Sequence, residues 1–96
     1  MDTKPITALF TLGTVVFTRG ALQALLDSRQ APLEFLNRHV SGHRGEVNQV
    51  DADENQVSVA QGYRVLSAYR TRSGVMIWII TEADRTATTL LLPEEY

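Results

Sequence analysis

His39 and His43 stand four residues apart, and Glu46 follows three positions later. Two imidazoles one helical turn apart can share a metal ion, with Glu46 adding a third ligand from a loop. The same trio suits acid–base chemistry on a phosphodiester. Either histidine would act as acid or base, Glu46 as its partner, and Arg44 or Arg85 as a phosphate clamp. Ser41-Gly42 stands between the histidines, where a helix should end. The plainer reading places both imidazoles near the carbonyl end of a helix dipole. No metal ligand set and no catalytic residue is therefore assigned. The chain has no cysteine, no glycine-rich phosphate loop and no nucleophile elbow, and no cofactor is expected.

Two further clusters carry charge. Glu46, Asp51, Asp53 and Glu54 form an acidic stretch that could meet a basic partner. The alternative is a solvated helix start, since carboxylates favour the positive end of a helix dipole. Glu82, Asp84 and Arg85 fill a short turn in which Asp84 is expected to bond the turn backbone and Arg85 to pair with Glu82.

The elements that must position these residues are legible from pattern. Residues Met1 to Pro5 read as a loose arm before a strand centred on Leu12 to Phe17, with Gly13 marking a bulge or a close backbone approach. Thr18 can cap a helix over about Arg19 to Ser28, whose stripe is Leu22, Leu25 and Leu26. Pro32 opens a second helix, to about Ser41, burying Leu33, Leu36 and Val40. Asp51 and Glu54 resemble a capping box for a third, from about Ala52 to Gln61. Val57 and Val59 could instead alternate as a short strand. Strands follow at Tyr63 to Arg70, Val75 to Thr81 and Thr86 to Leu92, joined by short turns into an antiparallel meander.

Turn lengths suggest a register. With Arg70 opposite Val75 and Ile80 opposite Ala87, one face carries Leu66, Ala68, Val75, Ile77, Ile79, Leu90 and Leu92. That face should receive the helices. The other face carries Tyr63, Val65, Ser67, Tyr69, Met76, Trp78, Ile80, Thr89 and Leu91, and is too apolar for a bare solvent face. The first strand, the arm or the third helix would cover it, or a partner would. Tyr63, Tyr69, Met76 and Trp78 are types enriched at interface cores. They are the candidate binding residues, for a protein partner or a second copy of the chain.

The whole is one domain of α+β class: an N-terminal strand, two to three helices, then a three-stranded antiparallel β-meander. With 96 residues, net charge −2, 44% hydrophobic and 21% charged residues, the chain has a globular composition. It is too neutral for a bulk nucleic-acid binder, so nucleic acid is not expected as a direct ligand. The apolar run Ile6 to Phe17 is broken by threonines and Gly13. It is shorter than the roughly 20 residues of a membrane span and lacks signal-peptide flanks. No membrane association is expected, and a cytoplasmic location follows by default.

Leu66-Ser67-Ala68-Tyr69-Arg70, the run Trp78-Ile79-Ile80-Thr81-Glu82-Ala83-Asp84-Arg85, and Thr88-Thr89-Leu90-Leu91-Leu92-Pro93-Glu94-Glu95-Tyr96 carry a resemblance. The chain resembles a family of small, uncharacterised proteins of bacterial plasmids, integrated elements and phages, from the Leu12-Gly13 strand to its end. Gly42 to Glu46 departs from the family pattern, where this loop is more acidic and carries a tryptophan. The resemblance implies a mobile-element cargo protein, a kind that often blocks host defence by binding a partner. The expected function is accordingly non-catalytic protein binding, in concrete form an anti-restriction or anti-CRISPR type inhibitor acting by occlusion. A small ribonuclease or toxin-like enzyme using His39, His43 and Glu46 is the first alternative. A dimeric DNA-binding regulator is the second.

Overall fold

Thr18 begins the helical layer as expected. Its backbone is extended, its hydroxyl accepts from the Ala21 amide, and helix α1 runs Arg19–Ser28. Arg29 ends it in the left-handed region with φ 55°. Helix α2 spans Pro32–Ser41, with proline in its first turn and Gly42 as C-cap. The computed structural model describes residues 8–43, 45–46 and 61–96. The arm at 1–5, most of the third helix expected at 52–61, Arg44, Asp51, Asp53 and Glu54 lie outside the described residues. No helix among the described residues is long and apolar enough to cross a membrane.

The buried arcs of the helices are not those the leucines suggested. Toward the core α1 turns Ala21, Ala24, Leu25 and Ser28, while Leu22 and Leu26 are exposed. Helix α2 buries Phe35, Leu36, His39 and Val40 and leaves Leu33 outside. Two alanines let α1 lie close to its neighbours, and the small contact face outweighs the larger side chains one position on.

The meander is present and extended. Strands β2 (Val65–Arg70), β3 (Met76–Thr81) and β4 (Ala87–Leu91) pair antiparallel in sequence order, and β1 (Thr14–Phe17) joins the sheet beside β4. The order is β1-β4-β3-β2, and the β1–β4 pair is parallel, so the sheet is mixed and four-stranded. The sequence allowed β1 to serve as a cover over the sheet; instead it lies in the plane. Gly13 makes this possible. At φ +64°, a Cβ there would sit 2.4 Å from the carbonyl oxygens of Arg85 and Thr86. The expected close backbone approach is thus the place where β1 meets the start of β4.

One expected register is corrected. Arg70 pairs with Met76, Tyr69 with Ile77 and Ser67 with Ile79, a slip of one residue from the pairing the turn length suggested. The hairpin closes at Thr71, whose amide donates to Val75 O, around a three-residue loop ending in Gly74 at φ 89°. A three-residue loop with a left-handed last residue is a preferred hairpin closure. A slip of one residue turns every β2 side chain over. Tyr69, Ser67 and Val65 therefore join Ile77, Ile79 and Leu90 on the side facing the helices, and all six are fully buried or nearly so. Leu66, Ala68 and Arg70 move to the face of Met76, Trp78 and Ile80. Between β3 and β4 the shift is two residues, with Ile80 opposite Thr89 rather than Ala87, so the faces there stand as expected.

Beyond β4, a 3₁₀ turn at Pro93–Glu95 folds the chain back. Glu95 accepts from the Thr18 hydroxyl, from the Gly20 amide at 3.0 Å and from the Leu92 amide at 2.8 Å. It therefore ties the end of β4 to the start of α1. These donors, the Thr18 hydroxyl foremost, hold its carboxyl below the usual value of 4.5. A carboxylate favoured by the folded state adds stability that is complete above its unfolded-state value and is lost as pH falls through the lower folded-state one. Glu95→Gln is expected to melt below wild type by a constant margin from neutral pH down to about the usual carboxyl value, and the margin should close in more acid solution. Parallel thermal melts of the two proteins from neutral to acid pH check this.

Candidate functional site

His39 has no exposed surface. It stands on the inner side of α2, with Nδ1 2.5 Å from Ser67 Oγ on β2 and Nε2 2.8 Å from Thr81 Oγ1 on β3. Thr81 Oγ1 lies 2.7 Å from Thr88 Oγ1 on β4, and Thr88 donates to the Leu12 carbonyl at 2.7 Å. The direction of the whole chain follows from its end. A carbonyl only accepts, so the single Thr88 proton is committed to Leu12. Thr81 must then donate to Thr88, and the His39 Nε2–H to Thr81. The chain thus puts a proton on Nε2, and in the neutral imidazole Nδ1 accepts from Ser67. Phe10 packs edge-on to the ring at 5.2 Å between centroids.

This burial separates the trio proposed for metal binding or phosphodiester chemistry. His39 is sealed in the core with both ring nitrogens engaged, and cannot reach a polymer substrate. His43 is exposed, and its backbone carbonyl accepts from Tyr69 Oη at 2.6 Å. Glu46 is spent on Arg70 in a half-exposed ion pair of 3.2 Å. Arg85 donates to the carbonyls of Tyr63 at 2.6 Å and Glu82 at 3.1 Å, and its guanidinium lies over Phe10. Among the described residues no three histidine, aspartate or glutamate side chains gather as a metal site. The sequence could not reveal this, because spacing along a helix does not say which arc faces inward.

The turn residues are committed to the turn itself. Asp84 accepts from the Thr86 amide and hydroxyl at 3.1 and 2.6 Å, and the hydroxyl above all lowers its carboxyl below the usual value. Arg85 holds φ 61° and donates to the backbone carbonyl of Glu82 within the turn. Of the acidic stretch only Glu46 is described, and it runs along β2: Gly45 bridges Ala68, and the Glu46 amide donates to Ala68 O at 2.6 Å.

Of the four candidate binding residues, two share a face. Met76 and Trp78 lie partly exposed on the side of the sheet turned away from the helices. Tyr69 does not: it is a core residue packed against Phe35, with Arg38 over its ring. Tyr63 is exposed just before β2. The structure adds residues that the sequence reading passed over. Tyr96 packs edge-on to Trp78 at 5.8 Å, and the Arg64 guanidinium stands 5.8 Å from the centre of the Tyr96 ring. Beside them runs an open groove of about 280 Å³, floored by Ile80, Thr89 and Leu91, walled by Tyr96 and rimmed by Arg64 and Glu82. An apolar floor with an aromatic wall, lined by two carboxylates (Glu82 and Glu95) against the single guanidinium of Arg64, suits a protein side chain better than a phosphate. The signal available was the terminal Leu-Pro-Glu-Glu-Tyr, in which proline turns the chain back and places Tyr96 over the sheet.

No protein family, curated protein or solved structure matches this chain.

Proposed function

We propose that this protein is a non-catalytic binding module. It would grip a protein partner with the outer sheet face around Trp78, Met76, Tyr96 and Arg64. The observation that carries the reading is the partly exposed Trp78, packed edge-on to the Tyr96 ring that walls the apolar groove, on the face opposite the helical layer. Aromatic and arginine side chains beside a concave apolar floor are the usual anchors of protein interfaces. The resemblance to small mobile-element proteins supports a specific form, inhibition of a host defence complex by occluding one of its working surfaces. Burial of His39 and the dispersal of His43, Glu46 and Arg85 favour binding over the nuclease alternative.

Trp78 is the single tryptophan of the chain, so its fluorescence reports on the face directly. A partner captured from host lysate should shift that emission on titration. Trp78→Ala and Tyr96→Ala should each weaken its binding by at least about tenfold, as central interface anchors do, while circular dichroism and melting show a folded protein. Undiminished binding by both folded variants would move the site elsewhere.

A further inference from the structure

The two edges of the sheet are treated differently. The β2 edge is occupied by Gly45 and Glu46 and flanked by the Glu46–Arg70 ion pair. The β1 edge carries Thr-Val-Val-Phe, with no charge and no proline. The Thr14 amide donates to Thr86 O at 2.9 Å and the Thr18 amide to Leu90 O at 3.0 Å. Even-numbered residues of the strand thus face β4. By the alternation of a strand, the amides and carbonyls of Val15 and Phe17 point away from the sheet, where they have no partner among the described residues. Such an edge is a template for another strand unless it is blunted by charge, proline or a bulge.

We propose that a second copy of this chain fills it, β1 against β1 and antiparallel, joining two sheets into one across a two-fold axis. The strand is self-complementary in this arrangement. Val15 of each copy exchanges both backbone hydrogen bonds with Phe17 of the other, and the axis passes beside Val16. Val16 is 45% exposed on the outer face, and here it meets its own copy in the close, non-hydrogen-bonded position. Charge favours the same direction. Arg19, just past the C-terminal end of β1, is exposed and has no ion pair among the described residues. At the other end of β1 lies the turn that carries Glu82 and Asp84. Antiparallel pairing directs each Arg19 toward the acidic turn of the opposite copy. A four-residue strand makes a small interface, so the dimer is concentration-dependent.

The chain has no cysteine, which gives a clean test. In Val16→Cys the two sulfurs would face each other across the axis at a Cα separation a disulfide accepts. With oxidised glutathione as oxidant, it should form a covalent dimer at least about tenfold faster than Val75→Cys, a control at another exposed valine, as a high effective concentration requires. Val16→Lys places two like charges on the axis and changes no core contact. By sedimentation it should stay monomeric at concentrations where wild type is dimeric. Wild type that stays monomeric up to the millimolar range, or Val16→Cys linking no faster than the control, overturns the proposal. So does a monomer that instead takes an extended peptide of another protein along β1.

Discussion

His39→Ala is expected to cost about 3–5 kcal/mol of folding stability, the range of changes that open a cavity and break a buried polar network together. The substitution leaves the Ser67 and Thr81 hydroxyls without their ring partners in a region where all three residues are fully buried. Each unsatisfied buried group costs about 1–3 kcal/mol. The lost ring also leaves Phe10 without its edge contact. In a domain of this length each kcal/mol moves the melting midpoint by roughly 4–8 °C, so thermal and urea unfolding will show the effect plainly. His39→Gln, able to donate toward Thr81 from a similar reach, should recover part of the loss. A wild-type midpoint for His39→Ala would mean that the chain of hydroxyls contributes nothing net. Nitrogen NMR of the imidazole checks the tautomer independently, with the proton on Nε2 and Nδ1 bare.

Gly13→Ala carries the second large effect. A left-handed backbone angle alone costs a non-glycine residue about 1–3 kcal/mol. Here the added Cβ also meets main-chain atoms, Arg85 O and Thr86 O at 2.4 Å, which cannot rotate aside as a side chain could. The Thr14–Thr86 hydrogen bond must open to make room, and the first contacts of the β1–β4 pair go with it. The expected loss is about 3 kcal/mol or more, adding strain to broken pairing. Hydrogen exchange should locate it, with faster exchange at the Thr14, Val16 and Thr18 amides and smaller changes in β2 and β3. Uniform loss of protection would indicate global unfolding without preferential release of β1.

The elements were largely legible because their signals are local. Thr18 as cap, Pro32 as first-turn residue, Gly42 as terminator and the three strands of the meander each follow from residues within a few positions. Gly13 also announced itself, since a glycine inside a β-rich run has few other reasons to be there. What stayed hidden depends on contacts distant in sequence or on a single residue of phase. Whether the Arg72–Gly74 loop holds three residues or four decides which side Tyr69 takes, and composition does not settle it. Leu22, Leu26 and Leu33 looked like core because leucine usually is, yet Ala21 and Ala24 set the contact. His39 read as chemistry because histidine at a helix end invites it. Its role as a tie among α2, β2, β3 and β4 needed the coordinates of four elements at once.

The pairing of the first strand with the last has a consequence for how the chain acquires its shape. Leu12 and Thr88 are 76 positions apart, whereas β2, β3 and β4 need only close short hairpins. Loop-closure entropy penalises the distant pair most, and folding slows as such pairs dominate. The meander is therefore the natural nucleus, with β1 arriving late. During synthesis β1 must wait for β4 before it finds its place. Perturbations in β1 should chiefly speed unfolding, while those in the hairpins should slow folding.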